Sequence, residues 1–360
     1  MNKGQSAGKL PARRLHTGHR DRSSRSYVHI SPMRRISLPM ELLKRFAINV
    51  SKPSPFIPWG IRRIQAPKAW RYATGKKIRI AVIDTGLDYG HRDLEHAARA
   101  GYNVLQPHLP PHDDNGHGTH IAGTIAASGS GSGMTGTAPD AEIYPVKAFD
   151  QMGSASISDI VAGIEWCIEH RMHIINMSFG MRRDSLALRE AVRRAHRAGI
   201  VIVASAGNDG KRRADYPACY PEVISVGATS RKHQVLGMSN RGESIDIYAP
   251  GEKVMSTWPD GDYCVLSGTS MAAGYVSGAA ALLLSIDRKL TPGQVKKILL
   301  QNTTPVSHAG RRIKTGELNA WAAVRRLLRA RHMRSGADTP IRRRTLASTV
   351  RTHPTRARRA

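Results

Sequence analysis

Three short segments of this 360-residue chain carry a carboxylate, an imidazole and a hydroxyl: Val82-Ile83-Asp84-Thr85-Gly86, Asn115-Gly116-His117-Gly118-Thr119-His120 and Ser267-Gly268-Thr269-Ser270-Met271-Ala272. A serine hydroxyl is a poor nucleophile until a base takes its proton. A neutral imidazole does this well when a carboxylate fixes its tautomer and stabilises the imidazolium. Asp84, His117 and Ser270 together therefore point to nucleophilic catalysis through an acyl-enzyme, with His117 as general base toward Ser270 and Asp84 on its other nitrogen. Ser270 follows a Gly-Thr turn and opens a long apolar helix. Free N–H groups at such a helix start favour negative charge, so the Ser270 amide can serve as one donor to an oxyanion. His120, one turn after His117, reads as a helix residue packed against a sheet. Two His three apart also suggest metal, but no third ligand with suitable spacing follows, and metal catalysis is not expected.

The surrounding pattern supplies a frame for these groups. Lys77-Ile78-Arg79-Ile80-Ala81-Val82-Ile83 is a short apolar run ending at Asp84, as a buried parallel strand would be. Strand-like runs at 141–149, 173–178 and 200–205 then alternate with helical spacing at 157–170 and 185–198. Such alternation implies an α/β fold, a mostly parallel sheet with helices on both faces, whose ligands lie beyond the carboxyl ends of the strands. Asp84, Ser178 and Asn208 all fall at such ends. Asn208 in isolation reads as a turn residue of an Asn-Asp-Gly loop.

Together with five further segments, these motifs resemble the subtilisin family of serine proteases from about residue 55 to about residue 328. The five are Ile57-Pro58-Trp59-Gly60-Ile61, the run from Ala148-Phe149 to Ala155, Ile174-Ile175-Asn176-Met177-Ser178-Phe179-Gly180, Ala206-Gly207-Asn208, and Gly316-Glu317-Leu318-Asn319-Ala320. The order Asp, His, Ser is the one known for subtilisin, so it is a match and not a deduction. A single Asp-Thr-Gly also suggests an aspartic protease, but such an enzyme needs two on an all-β frame. The resemblance implies a three-layer subtilisin-like fold and a serine endopeptidase, with the Asn208 side chain joining the Ser270 amide at the oxyanion. It implies that an extended peptide pairs its backbone between Gly153-Ser154-Ala155 and Ser178-Phe179-Gly180. The primary specificity pocket would lie between 204–209 and 215–218, where Asp209 and Asp215 are two unusual carboxylates. They suggest a basic preference at the residue before the scissile bond, unless Lys211, Arg212 and Arg213 in the same loop neutralise them.

Two departures accompany the match. The family usually continues Gly-Thr-Ser-Met-Ala-Ala with Pro-His, where this chain has Gly274-Tyr275. Glycine forfeits rigidity there and costs about 1 kcal/mol of helix propensity relative to alanine, so slower turnover is expected. The resemblance also implies structural calcium, held by Asp93 and by oxygens of the loop bearing Ser128, Ser130, Ser132 and Met134. Ser130 stands at the usual Asn position and Pro55 at the usual Gln position, so binding is expected to be weak. No cofactor is expected for catalysis.

Composition bounds the rest. The net charge is +28, and residues 1–54 hold twelve Lys/Arg against two acids, residues 331–360 nine Arg against one Asp. These ends lack periodic apolar patterning and read as a basic disordered leader or short propeptide and a basic disordered tail around a peptidase domain at 55–330. Their charge suits solubility or contact with a polyanion. Three cysteines, Cys167, Cys219 and Cys264, are an odd number without metal-ligand spacing, and their count argues against a disulfide framework. The first forty residues have the basic start of a secretory signal without its apolar run, and the apolar stretch around 279–286 is too short to span a bilayer. A cytoplasmic monomer acting on polypeptide substrates is expected, with leaderless export as an alternative. Two other functions stay open: a polyanion-binding protein with an idle protease fold, and a peptide ligase using the same acyl-enzyme.

Overall fold

The computed structural model describes residues 27–30, 36–38 and 55–334. A nine-stranded sheet runs through it in the order Thr303–Thr304, Glu317–Leu318, Ile247–Pro250, Val223–Thr229, Val201–Ser205, Ile174–Met177, Arg79–Asp84, Glu142–Lys147 and Tyr102–Asn103. All neighbours pair in parallel except Thr303–Thr304, which is antiparallel to Glu317–Leu318.

The central strands are buried on both faces, which is why they read as continuous apolar runs and not as alternating ones. Successive side chains still divide between two cores, as the period of two requires. Ile80, Val82, Ile174, Val201 and Val203 join one cluster with the helices His117–Ala126 and Thr269–Ile286. Ala81, Ile83, Ile175, Met177, Ile202 and Ala204 join the other, with Ile157–Glu169 and Leu186–Arg197. This is the three-layer α/β arrangement of helix, sheet and helix. Ser156 and Ser185 start the two helices of the second layer by accepting the Asp159 and Leu188 amides, 3.1 and 3.4 Å, the N-cap role that serine favours.

Register sets the site. Asp84 pairs with Lys147, Ile83 with Met177, and Met177 with Ala204, so Asp84, Ser178 and the 205–208 turn leave the sheet along one edge. The apolar helix Thr269–Ile286 has the length and composition to cross a membrane, yet 89% of it is buried inside the protein. It is the central core helix. Gly274 within it packs close to the His117–Ala126 helix, since a Cβ there would lie 3.1 Å from Thr124 Cγ2. The residue that departs from the family pattern thus gives two site-bearing helices a near approach.

Two expectations about the ends need correction. Of the leader, Tyr27–His29 and Ile36–Leu38 are strands, so these residues are not disordered. The Ala320–Arg334 helix continues four residues beyond the expected boundary at 330. The rest of both ends, with most of their charge, lies outside the described residues.

Candidate active site

His117 begins its helix after Gly116, which has φ 104°, a left-handed conformation suited to glycine. A Cβ on Gly116 would also lie 2.3 Å from the Trp258 ring. Gly116 carries no capping side chain, and Asp113 caps the helix from three residues upstream. Its Oδ1 accepts the Asn115 and Gly116 amides at 3.1 and 2.8 Å, and its Oδ2 accepts the Thr119 amide and hydroxyl at 2.8 and 2.6 Å. Thr85 adds a brace: its hydroxyl donates to Asp113 Oδ1 at 2.7 Å and accepts the Gly118 amide at 2.9 Å. Neither Asp113 nor Thr85 was singled out by sequence. The signal for Asp113 was present, because an acid just before an Asn-Gly helix start is a capping pattern.

His117 Nδ1 lies 2.7 Å from Asp84 Oδ1, which also accepts the Thr85 amide at 2.8 Å. Both residues are buried, as is Ser270. The other imidazole nitrogen, His117 Nε2, is buried and has no hydrogen-bond partner among the described residues. Ser270 Oγ instead donates to the Ser178 carbonyl at 3.0 Å. A buried chain of side chains anchors this pair: Ser178 Oγ donates to the Ser270 carbonyl and accepts from Asn176, whose Oδ1 accepts from Ser277. His120 packs as expected against strands, its Nε2 3.2 Å from the carbonyls of Val254 and Cys264. Burial, with a smaller contribution from nearby His117, pushes its pKa down to about 3. Among the described residues no three His, Cys, Asp or Glu cluster as metal ligands.

Asn208 lies beside the nucleophile. Its Oδ1 accepts from the Thr269 amide at 2.9 Å and the Thr269 hydroxyl at 3.0 Å. That leaves its Nδ2 amide as the donor still to be used, next to the start of the Ser270 helix.

The two segments expected to hold a peptide flank a groove, and the chain's own leader lies in it. Tyr27, Val28 and His29 pair antiparallel with Ser156, Ala155 and Ser154, and His29 also bridges Gly180. The Ile30 amide donates to Gly153 at 2.9 Å, and His29 Nδ1 lies 2.7 Å from Ser154 Oγ. Val28 is 1% exposed and shares an apolar cluster with Phe149, Ala155 and Phe179. Ile36–Leu38 pairs with Tyr263–Leu266, the strand that leads into Ser270. Sequence patterning missed this docking, since three residues are too few for a periodic signal.

Gly180, Asp209 and Asp215 line a cleft of about 610 Å³ together with Tyr27, Val28 and His29. Asp209 is exposed and paired with Lys211 at 2.6 Å and Arg182 at 3.4 Å. The Lys211 hydrogen bond, chiefly, holds its carboxyl below the usual range. Asp215 is half-buried, and its pKa is raised, first by burial. Of the residues expected around calcium, Asp93 is fully buried. Its Oδ2 accepts from the Met134 amide at 2.8 Å and the Tyr263 hydroxyl at 2.6 Å, while Oδ1 is buried without a partner among the described residues. Ser128 and Ser130 hydrogen-bond each other at 2.9 Å, and Ser132 is half-buried in the same loop. No disulfide joins any of the three cysteines.

A family model described as the subtilase family matches residues 75–322. The chain is 41% identical over 270 residues to Subtilisin Savinase of Lederbergia lenta, covering 75% of this chain and 99% of that protein. It is 44% identical over 252 residues to the Thermostable alkaline protease of Halalkalibacterium halodurans, 70% of this chain and 69% of the relative. It is also 41% identical over 258 residues to the Minor extracellular protease Epr of Bacillus subtilis, covering 71% of this chain but only 40% of that protein's length. This last relative is extracellular by name, and it overturns the cytoplasmic expectation. That expectation rested on a missing apolar run, which is no evidence of a compartment.

Proposed function

The chain belongs to the subtilase family and is a serine endopeptidase that hydrolyses peptide bonds; on that premise we propose that Asp84, His117 and Ser270 carry the reaction. The observation that supports this best is the buried 2.7 Å contact of His117 Nδ1 with Asp84, which leaves Nε2 without a partner. Ser270 Oγ turns from the Ser178 carbonyl to His117 Nε2. A peptide adding a strand along 178–180 needs that carbonyl as an acceptor, so substrate binding itself releases the serine hydroxyl. Catalytic hydrogen bonds commonly tighten only in such a complex.

The Ser270 Oγ proton passes to His117 as Oγ bonds to the substrate carbonyl carbon. The carbonyl π electrons move onto oxygen, where the Ser270 amide and Asn208 Nδ2 donate to the oxyanion. Collapse breaks the C–N bond, and His117 gives its proton to the leaving amine. Water repeats the sequence on the acyl-enzyme and frees Ser270. An active-site-directed fluorophosphonate should label Ser270 in the intact protein and fail on Ser270→Ala and His117→Ala. Labelling of the folded Ser270→Ala protein would refute the assignment.

The leader strand is the occupant of this substrate groove, and it acts as an intramolecular competitor. Support comes from its pairing on both sides, to Ser154–Ser156 and to Gly180. Gly153, Ser154, Ala155, Ser178, Phe179 and Gly180 would hold a substrate by the same main-chain edges.

Calcium, where present, is held by Asp93 with oxygens of the loop from Ser128 through Ser130 and Ser132 to Met134. The unpartnered buried Asp93 Oδ1 is the feature that fits a cation, which there would supply loop rigidity and no chemistry. A chelator should lower Tm by a few degrees; an unchanged Tm at added calcium and at added chelator would exclude the site. The enzyme works outside the cell, as its Bacillus subtilis relative is named to do, and detection of the processed chain in culture medium tests this.

A further inference from the structure

In the cleft that Gly180, Asp209 and Asp215 line, the Asp215 carboxylate lies against two glycines, Gly180 and Gly207. A Cβ on Gly207 would lie 2.3 Å from Asp215 Oδ2, and one on Gly180 would lie 3.0 Å from Asp215 Cβ and 3.4 Å from Oδ2. Gly180 ends the Ser178-Phe179-Gly180 segment, and Gly207 precedes Asn208. Asp215 is fixed by its backbone, since its amide donates to Ala206 at 2.8 Å and the following residue exchanges both main-chain hydrogen bonds with Met181.

Among the described residues, the cations adjacent in sequence make no hydrogen bond or ion pair with this carboxylate. Lys211 and Arg182 pair with Asp209 at the rim. Arg213 donates to the Tyr216 hydroxyl at 2.9 Å and to Cys219 Sγ at 3.4 Å, and Arg212 is exposed. No hydrogen bond or ion pair reaches the Asp215 side chain among the described residues, and Lys211 and Arg182 act on it only at a distance. A half-buried carboxylate without a direct partner has lost solvation, offset only by longer-range attraction to Lys211 and Arg182.

We infer that Asp215 is the specificity-determining residue of the primary pocket and selects substrates with Arg or Lys at the residue whose carbonyl Ser270 attacks. This rests on the reading of Ser270 as nucleophile. An arriving guanidinium or ammonium forms charge-assisted hydrogen bonds with Asp215, whereas an apolar side chain buries the carboxylate further and leaves it unpaired. Asp209, already neutralised, contributes little.

The test compares kcat/KM for peptides differing only at that residue, Arg or Lys against Phe or Leu. The wild type should favour the basic peptides by roughly tenfold to a hundredfold. Asp215→Asn should abolish or reverse the preference, and Asp209→Asn should leave it nearly unchanged. Benzamidine, an aromatic amidinium, should compete with the Arg peptide in the wild type, which needs no variant to fold. A Phe or Leu preference, or an Arg preference that Asp215→Asn leaves intact, or no competition by benzamidine, overturns the inference. Fluorophosphonate labelling of Ser270 separates the cases: an enzyme that labels but prefers Phe refutes the Asp215 role alone, and one that does not label refutes the nucleophile reading on which it rests.

Discussion

Replacing Val28 by Asp should open the substrate groove to outside peptides. Val28 is 1% exposed, and burying a valine side chain is worth about 1.5–3 kcal/mol relative to leaving it in water. Val28→Asp removes that gain and sets a carboxylate in an apolar slot beside Phe149 and Phe179, where it has no partner. A loss of about 2 kcal/mol shifts the docked-to-released equilibrium of the leader roughly thirtyfold. The assay uses Ser270→Ala as background, so that nothing is cleaved and the leader stays attached. Fluorescence anisotropy then reads the affinity of a labelled extended peptide with and without Val28→Asp. When the groove is free only a fraction of the time, the apparent Kd rises by the inverse of that fraction. The variant should therefore bind about tenfold to thirtyfold more tightly, and deletion of residues 1–30 at least as tightly. Equal Kd values in all three proteins, at unchanged Tm, would refute competition by the leader.

Three further outcomes follow from the same geometry. Asn208→Ala should lower kcat by roughly a hundredfold to a thousandfold with little change in KM, because the donor acts on charge that develops only in the transition state; a loss confined to KM would contradict that role. The pKa of His120, about 3 in the folded protein, lies below the ordinary histidine value, so the unfolded chain binds the extra proton first as acid is added. Stability from this group is therefore complete above about pH 6.5 and falls as pH drops toward 3; denaturant unfolding should show a shallower fall over that window in His120→Gln, and an identical slope would exclude the contribution. Deleting 331–360, where nine Arg face one Asp, should weaken binding to a polyanion and flatten its salt dependence without altering peptide turnover; unchanged affinity would assign the tail to solubility.

The sheet and its helices were legible because burial leaves its mark on local sequence. The run ending at Asp84 is apolar at nearly every position because helices cover both faces, and the observed strand, Arg79–Asp84, lies within the expected one. The nucleophile helix was equally plain, from Thr269 to Ile286. Groups whose partners come from far along the chain were harder to see. Tyr263 gives no local hint that its hydroxyl reaches Asp93, 170 positions away. Tyr27-Val28-His29 lies in a charged stretch and gains its strand conformation only from the groove edge that it meets.

The loop bearing Asp215 shows why the limit is physical. In sequence, three cations stand two to four residues from the carboxylate, and nearness along the chain argues for neutralisation. In space, the main-chain hydrogen bonds of Tyr216 with Met181 fix the 215–216 backbone, while Arg213 stacks over the Tyr216 ring at 5.5 Å. Arg213 is thus held by Tyr216 and Cys219, and Lys211 gives its direct contact to Asp209 while attracting Asp215 only from a distance. Charge adjacency in sequence is not contact in space, and this separation of sequence neighbours from direct partners is what a linear reading misses. Asp215 therefore lines the cleft without a direct ion pair among the described residues, and the charge of the substrate, not that of the loop, is the means of satisfying it.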